Sequence, residues 1–288
     1  MKKIIYLGLL SSTFLGFSAQ ACINSYAFEL GHQHEISDID AEEALKTIHP
    51  QKIFKQSYQK INDYGVYLIY NRQYQKAIQV FEKLERMHPN LAKTAANLGT
   101  AYELNGQPEK AKIWIEKGIR LDPQLHEGSE WIHVKILDAQ IQQKKNSKWI
   151  QQHDVLGLDF GTQARPIATV KKVDYLQKQY GLNTVLEHSK IQMNQRLRFV
   201  SKDPITAQII FNMANIEVYQ LNNEEWVNET LYDRAGDLGY SNPQLLAQRR
   251  DYTQNSMWFL WKSSMMDVFR GVSELLSFSF YEPKLEDK

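Results

Sequence analysis

The 288-residue sequence contains a single cysteine, Cys22, so no disulfide can form within the chain. Its stability must therefore come from buried apolar surface and hydrogen bonds. The charge is also nearly balanced, with 34 Lys and Arg residues against 33 Asp and Glu residues. Because this balance gives no electrostatic reason to expect DNA or RNA, we predict no nucleic-acid partner.

Motifs that would indicate catalysis are missing as well. The sequence has no His-Glu-x-x-His zinc motif, no Gly-x-Ser-x-Gly nucleophile turn, no glycine-rich phosphate loop and no Cys-x-x-Cys pair. His32, His34 and Glu35 could face one side of an extended segment, but no spacing elsewhere identifies the further ligands that a metal would need. We therefore predict no catalytic residue, no cofactor and no metal site.

Long apolar runs are also missing, since no stretch after the first residues approaches twenty apolar residues. We therefore predict no transmembrane segment in the mature chain. Residues 1–21 instead have the order of a secretory signal peptide. Lys2 and Lys3 precede a mostly apolar stretch, Ile4 to Phe17, and Ala19-Gln20-Ala21 supplies a small-x-small cleavage pattern. This order predicts a protein exported from a bacterial cell, to the periplasm or the envelope.

Cys22 directly follows the predicted cleavage position, and two interpretations of it stay open. Bacterial lipoproteins carry a lipid-modified cysteine at this place, although they usually have Leu three residues earlier, where this chain has Ala19. Simple cleavage would leave an unpaired thiol at the same position. Lipidation of Cys22 is therefore an alternative to a free amino-terminal cysteine.

A shift of the sequence by 34 residues against itself superposes residues of the same kind. Gly65 falls on Gly99, Ala77 on Ala111, Phe81 on Ile115, and Pro89 on Pro123. In a helical hairpin, the small residues permit close approach of the helices, the large apolar residue fills the space between them, and proline ends the unit. The period predicts two helical hairpins, 58–91 and 92–125.

These hairpins resemble the tetratricopeptide repeat (TPR) family, and the second is the closer match. It has Leu98-Gly99 and Tyr102 in its first helix, then Gly106, Ala111, Ile115, Gly118 and Leu121-Asp122-Pro123. The first departs from the family with Leu68 and Leu84. The resemblance covers about a quarter of the chain and implies stacked hairpins that bind other proteins. Residues 21–24 and 155–161 are similar to secreted bacterial TPR proteins of unassigned role.

Hydrophobic period gives the expected organisation outside the hairpins. An apolar stripe from His126 to Gln143 predicts a third helix that stacks on the second hairpin. A helix from about Asp40 to Lys55 is expected before the first, with Asp40 as its cap. In the second half, we expect a helix that begins at Pro204 with Asp203 as its cap, and a final amphipathic helix around 258–276 that closes the core.

The expected class is therefore all-α, a short TPR solenoid with a helical C-terminal half that extends or caps it. The predicted segments are a signal peptide (1–21), an N-terminal segment with one helix (22–57), the TPR part with its stacking helix (58–146), a connector (147–172) with one short β segment near 154–161, and a helical C-terminal region (173–288).

In the TPR family, the first helix of each repeat lines a groove that receives a peptide or a partner helix. Carried over to this sequence, the resemblance implies groove positions on three successive helices: Asn62, Val66 and Ile69, then Lys93, Asn97, Thr100 and Glu103, then Glu127, Trp131 and Val134. Val66, Glu127 and Trp131 stand where groups that grip a terminal carboxylate would be needed, so carboxylate capture is disfavoured. Alternatively, terminal helices of the chain cover several of these positions.

The resulting prediction is an exported protein-interaction scaffold that binds a peptide or a partner helix through the TPR groove. One alternative is an enzyme with a site between the TPR part and the C-terminal half. A second alternative is a lipid-anchored structural component of an envelope complex.

Overall fold

The computed structural model of the chain describes residues 23, 25, 38–220, 225–255, 261 and 265. In this part, the chain forms eleven α-helices and one two-stranded sheet, in agreement with the predicted helical class. The helices are α1 (Asp38–Thr47), α2 (Tyr58–Tyr70), α3 (Tyr74–Met87), α4 (Ala92–Leu104), α5 (Pro108–Leu121), α6 (Glu130–Lys145), α7 (Trp149–Gln152), α8 (Leu182–Phe199), α9 (Pro204–Gln220), α10 (Glu225–Asp237) and α11 (Pro243–Asn255). The strands β1 (Lys172–Tyr175) and β2 (Lys178–Gly181) lie between α7 and α8.

Helices α2 to α5 repeat with the predicted period. Each end of α4 and α5 lies 34 positions after the corresponding end of α2 and α3. Each of these helices packs on the next, and α5 packs on α6. Consecutive packing of this kind is the arrangement of a helical solenoid.

The repeat glycines lie where the two helices of each hairpin touch. A Cβ atom on Gly65 would lie 2.5 Å from ring carbons of Phe81, and one on Gly99 would lie 2.7 Å from side-chain carbons of Ile115. Ala77 and Ala111 are fully buried on the second helices. Pro89 and Pro123 follow shortly after the ends of α3 and α5.

The helix before the repeats is shorter than predicted and begins earlier. It runs from Asp38 to Thr47, so Asp40 lies inside the helix instead of capping it. Pro50 explains why no helix continues to Lys55, because proline has no backbone N–H and disfavours a helical conformation in the residue before it. A short 3₁₀ turn at Ile53–Lys55 follows.

The third helix of the stack, α6, is shared by two hydrophobic cores. Val134 and Leu137 belong to the core of the repeats. Trp131, Ile132 and Ile136 belong to a second core, built with α8, α9 and the connector. Both faces of α6 are therefore covered by protein.

The connector after α7 is irregular but strongly anchored. Its alternating apolar residues Val155, Leu156, Leu158 and Phe160 are all buried. The Asp154 carboxylate accepts the backbone N–H groups of Leu156 and Leu158, both at 2.9 Å. The alternation that predicted a strand therefore reflects apolar side chains that are buried from an irregular loop. In the described connector, strand-like pairing is limited to one bridge between Asp159 and Val170.

The sheet lies later than predicted, at residues 172–181, which we had expected to be helical. Val173 pairs with Tyr180 across the antiparallel hairpin, and both side chains are buried. The two turn residues, Leu176 and Gln177, have φ values of 45° and 64°. A two-residue turn with both residues in the left-handed region matches the twist of a hairpin, although Asn-Gly is the usual sequence for it.

Helices α9 to α11 form the rest of the described C-terminal region. The Asp203 carboxylate accepts the N–H groups of Ile205 and Thr206, at 3.2 and 3.3 Å, which makes Asp203 the cap of α9 as predicted. Arg249 of α11 is fully buried. It donates hydrogen bonds to the Phe160 and Gly161 carbonyls, at 2.9 and 2.8 Å, and so ties the connector to α11.

Several predictions concern residues outside the described part. These are the signal peptide, Cys22 with its proposed lipidation, the His32, His34 and Glu35 cluster, and most of the final amphipathic helix. Among the described residues, no helix has both the length and the apolar character needed to span a membrane.

Candidate protein-binding groove

The predicted groove positions are mostly interior. We call the face formed by α2, α4 and α6 the groove. Among its predicted residues, Asn62, Val66, Ile69, Asn97, Thr100, Trp131 and Val134 are buried. These positions are therefore not exposed in this conformation, and binding of a partner along them stays a prediction.

The other three predicted positions are Lys93, Glu103 and Glu127. Glu103 is intermediate in exposure as a whole residue, but its side chain is buried and its carboxylate forms ion pairs. Lys93 is partly exposed. Glu127 is exposed and lies in the 3₁₀ turn Leu125–Gly128, because α6 begins only at Glu130. Glu127 therefore does not share a helix with Trp131 and Val134.

Some groove residues form hydrogen bonds between neighbouring repeats. The Asn62 side-chain oxygen accepts hydrogen bonds from Asn97 Nδ2, at 3.0 Å, and from Thr94 Oγ1, at 3.2 Å. A buried amide must find hydrogen-bond partners, since leaving one unpaired costs about 1–3 kcal/mol. These residues act as ties between α2 and α4.

Helix α8 of the same chain covers the groove, beginning at α6. The Trp131 Nε1–H group donates to His188 Nδ1 at 2.8 Å, and Gln192 Nε2 donates to Ser129 Oγ at 2.9 Å. Trp131 also stacks on Tyr180 of β2, with ring centroids 4.4 Å apart. The hairpin and the first half of α8 therefore enclose Trp131 together.

The second half of α8 reaches α4 and α2. Arg196 Nη1 donates to Glu103 Oε1 at 2.6 Å, and Gln195 Nε2 donates to the Tyr70 hydroxyl at 3.3 Å. The Phe199 ring lies 5.8 Å from the Tyr70 ring. Groove contacts thus recur along α8 every three or four residues, which places them on one helix face. A helix that lies in a groove is a common mode of protein recognition, and here the helix belongs to the chain itself.

A buried ionic network joins α4, α6 and α8 beneath this contact. His133 Nε2 lies 2.6 Å from Glu103 Oε2, and His133 Nδ1 lies 3.3 Å from Glu130 Oε2. His126 Nδ1 lies 2.6 Å from the other Glu130 oxygen. Since ionised carboxylates can only accept, both ring nitrogens of His133 must donate, which requires the protonated ring.

The ionisation of this network follows from its charges. Burial alone would lower the pKa of His133, but Glu103 and Glu130 outweigh it and raise the pKa to about 9. Burial alone would raise the pKa of Glu130, but His126 and His133 hold it at about 2. In the same way, Arg196 and His133 hold the pKa of Glu103 well below its usual range against the effect of burial. The groups are therefore mutually neutralised ions.

Arg196 extends the network to the C-terminal helices. Its Nη2 donates to Asp203 Oδ2 at 3.1 Å, and its Nε donates to Thr206 Oγ1 at 2.6 Å. Gln140 Nε2 also donates to Glu103 Oε1, at 2.7 Å. The guanidinium thus links the groove to the first turn of α9.

A small cavity lies between these helices, and Ile23 forms part of its wall. The cavity measures about 30 Å³ and is partly open to solvent. The backbone N–H of Ile23 donates to Gln195 Oε1 at 2.8 Å. Two residues later, Ser25 Oγ donates to Asp63 Oδ1 of α2 at 2.9 Å. Ile23 and Ser25 therefore contact α8 and α2, respectively.

The predicted alternative of an enzyme concerned this junction of the TPR part with the C-terminal half. Acidic and imidazole groups do converge here, yet Glu103, Glu130 and His133 bond to one another and are buried. The adjoining cavity is lined by both polar and apolar residues, among them Thr100, Leu104 and Ile136. In this conformation the described groups act as ties between helices.

Sequence reasoning did not single out the residues that fill the groove. Gln195 lies 125 residues after its partner Tyr70, and Arg196 lies 93 residues after its partner Glu103, so no local pattern joins them. Glu130 and His133 do carry a usable signal, since their spacing of three places them on one face of α6, whereas His126 lies in the turn before this helix.

Comparison with known families agrees with this geometry. Residues 92–125, which contain α4 and α5, match the tetratricopeptide repeat family. No curated protein matches the chain. Tetratricopeptide repeats generally mediate protein–protein interactions and are typically non-catalytic scaffolds. The match is to one tetratricopeptide repeat, which covers residues 92–125 of the 288-residue chain.

Proposed function

We propose that this chain is an exported protein-interaction scaffold, acting in the periplasm or at the envelope, whose groove binds an extended segment of a partner protein. The single observation that carries the proposal is the placement of Ile23, whose side chain lines the groove cavity while its N–H donates to Gln195. The order of charged, apolar and small residues in 1–21 supports export.

An extended segment fits the site better than a second helix does. Helix α8 already covers the groove from Trp131 to Tyr70. Beside it, Gln195 Oε1 accepts a backbone N–H and Asp63 Oδ1 accepts a hydroxyl, which are groups that an extended segment presents at short intervals. Apolar residues of the cavity wall, Leu104 and Ile136, suit an aliphatic side chain between them.

Site-specific crosslinking in the producing cells tests the binding site. A photoreactive amino acid at Thr100, in the cavity wall, should give an adduct with a partner protein. The same amino acid at Ile113, which is 63% exposed in α5 outside the groove lining, should not give that adduct. The proposal would be contradicted by equal adducts at both positions, or by their absence at Thr100.

The export part of the proposal has its own measurement. Mass analysis of the amino-terminal peptide from cell fractions should find the chain outside the cytoplasm and beginning at Cys22. The mass also separates the two forms of this residue, because a lipid-modified Cys22 is heavier by its acyl and diacylglycerol groups than a free one. Recovery of the chain from the cytoplasm with residues 1–21 intact would rule out export.

A further inference from the structure

The hydrogen bond between Trp131 and His188 has a fixed direction. The indole Nε1–H group of Trp131 donates to His188 Nδ1 at 2.8 Å. An indole nitrogen can only donate, so His188 Nδ1 must carry no proton. The neutral imidazole meets this requirement with its proton on Nε2, whereas the protonated imidazole carries a proton on both nitrogens. The bond therefore exists only with a neutral His188.

Trp131 has no easy replacement for this partner. The residue is 2% exposed, and its ring lies against Tyr180 of β2, with centroids 4.4 Å apart, and against Tyr175 of β1, at 6.5 Å. A buried N–H that loses its acceptor stays unpaired, at a cost in stability, unless the structure around it moves. Because the hairpin and the first half of α8 enclose the indole, these are the elements that such a movement involves.

One cation lies close to His188. Lys178 of β2 holds its Nζ over the Tyr180 ring, 4.9 Å from the centroid, and this ring lies 5.7 Å from the His188 ring. A second cation beside Lys178 is repelled, and burial of the imidazole also opposes its charge. Burial first and Lys178 second therefore hold the pKa of His188 below its ordinary value of 6.5.

The neighbouring titratable groups do not offset this effect. Tyr175 of β1 and Tyr180 of β2 stay neutral, since burial raises the pKa of both phenols. On α8, Glu187 is exposed, and Lys190 pairs with Glu217 of α9 at 2.9 Å. None of these groups raises the pKa of the imidazole against its burial.

We propose that the Trp131–His188 hydrogen bond is an acid-sensitive latch, which holds the β-hairpin and the first half of α8 against α6. When a proton binds His188 Nδ1, the imidazole and the indole present N–H groups to each other, so the bond breaks and these elements loosen around Trp131. The second half of α8 stays in place, because Arg196 remains paired with Glu103. The latch acts on the fold itself, whatever partner the groove binds.

The test follows the Trp131 indole N–H by nuclear magnetic resonance in the full chain, labelled with ¹⁵N-tryptophan. Trp131→Phe identifies the signal among those of the six tryptophans. Between about pH 7.5 and about pH 4.5, we expect this signal to shift with a midpoint below 6.5. After correction for the intrinsic effect of pH, exchange of this N–H with water should become up to about tenfold faster in acid, the factor that corresponds to one lost hydrogen bond.

Two histidine variants show whether His188 is the cause. In His188→Gln, the amide oxygen can accept the indole N–H and does not titrate, so the Trp131 signal should stay constant over the same range. The matched control is His153→Gln. His153 also stacks on a tryptophan, Trp149, but its Nδ1 lies 3.0 Å from the backbone carbonyl of that residue and not at the indole N–H. This variant should leave the titration of Trp131 unchanged.

A third variant tests the charge that faces the latch. Lys178→Gln removes the nearby cation, so the midpoint of the Trp131 titration should rise towards 6.5. Lys178 is exposed, so this variant also serves if His188→Gln does not fold. Exchange of the backbone amides of residues 172–181 reports on the hairpin. It should become faster in acid in the unchanged chain and not in His188→Gln.

Three results would overturn the proposal. The first is a Trp131 signal that does not move with pH in the unchanged chain. The second is a titration that persists in folded His188→Gln. The third is a titration of Trp131 with no change in amide exchange at residues 172–181, which would mean that the bond breaks without loosening the hairpin.

Discussion

Single residues determine how closely the helices of each hairpin approach. Gly65 and Gly99 leave room for Phe81 and Ile115, whose side chains lie where a Cβ atom would be. In the groove, His133 has a comparable role, because its two ring nitrogens join Glu103 of α4 to Glu130 of α6.

Replacing Gly65 by alanine should destabilise the protein by about 1–3 kcal/mol, because the new methyl group overlaps the Phe81 ring. The sign of the change in unfolding free energy is informative, since alanine in place of glycine at an open helical position should stabilise the protein by up to about 1 kcal/mol. The free energy of unfolding in urea measures the effect. Gly118→Ala in α5 is the helical control, because a Cβ atom there meets its neighbours only at ordinary contact distances, the nearest at 3.4 Å.

A double variant tests whether contact with the Phe81 ring causes the loss of stability. Combining Gly65→Ala with Phe81→Leu removes ring atoms from the position of the overlap. The double variant should therefore lose less stability than the sum of the two single variants. Strict additivity would mean that the two residues do not interact, contrary to their contact in the structure.

Stability should fall as the pH rises from about 6.5 to about 9, because protonated His133 is held between Glu103 and Glu130. The folded pKa of about 9 lies above the unfolded value, so the contribution is complete below pH 6.5 and is lost as the pH passes through 9. The loss is about 3 kcal/mol at most. Arg196, which pairs with Glu103, and His126, whose Nδ1 lies 2.6 Å from Glu130 Oε1, are the other titratable groups that face these carboxylates.

Thermal unfolding midpoints across this range measure the effect. His133→Gln should lower stability at pH 6 and flatten the profile between pH 6.5 and 9. His49→Gln, at an exposed position, should leave the profile unchanged. An unaltered slope in the His133 variant would contradict the assignment.

Among the secondary-structure elements, α8 and the first turn of α9 decide how the two halves of the chain meet. Helix α8 carries groove contacts on one face, and Arg196 continues from the groove to Asp203. Asp203 in turn caps α9. The carboxylate thus has two roles, a backbone cap and a counter-charge.

Two substitutions at Asp203 separate these roles. Asn is also a good cap, so Asp203→Asn should keep α9 intact and weaken only the ion pair with Arg196. Asp203→Ala loses both and should cost about 0.5–2 kcal/mol more for the cap. Urea unfolding and hydrogen exchange at residues 205–207 measure the difference. Equal losses in the two variants would mean that the cap contributes nothing.

Elements that depend on a recurring local pattern could be predicted from the sequence, whereas features that lack such a pattern could not. The hairpins were predictable because Gly65, Ala77 and Phe81 recur at a fixed interval and act between neighbouring helices. The β-hairpin was not, because its turn residues Leu176 and Gln177 give no turn signal of the Asn-Gly kind. The occupant of the groove was hidden too, since Gln195 and Ile23 meet only in the folded chain.

At the scale of the whole molecule, α6 contributes side chains to both hydrophobic cores, so we expect the two cores to unfold together. Ile136 lies in the core of the C-terminal half, and its neighbour Leu137 lies in the core of the repeats. Both side chains are almost fully buried. Loss of packing on either side of α6 therefore weakens the helix on which the other core depends.

Ile136→Ala and Leu137→Ala form a matched pair for this point. Each should cost about 2–5 kcal/mol, as large-to-small changes in a core do. In scanning calorimetry, both variants should move the same single transition to lower temperature. Two transitions, each shifted by only one of the variants, would show that the halves unfold independently.

The enclosure of Trp131 gives the protein a built-in optical signal. Its indole stacks on Tyr180 and donates to His188, so its surroundings change whenever α8 leaves the groove. The difference in emission between the unchanged chain and Trp131→Phe isolates this indole from the five other tryptophans. Exposure to water would shift that difference spectrum to longer wavelength, so separation of α8 from the repeats could be followed in real time without a label.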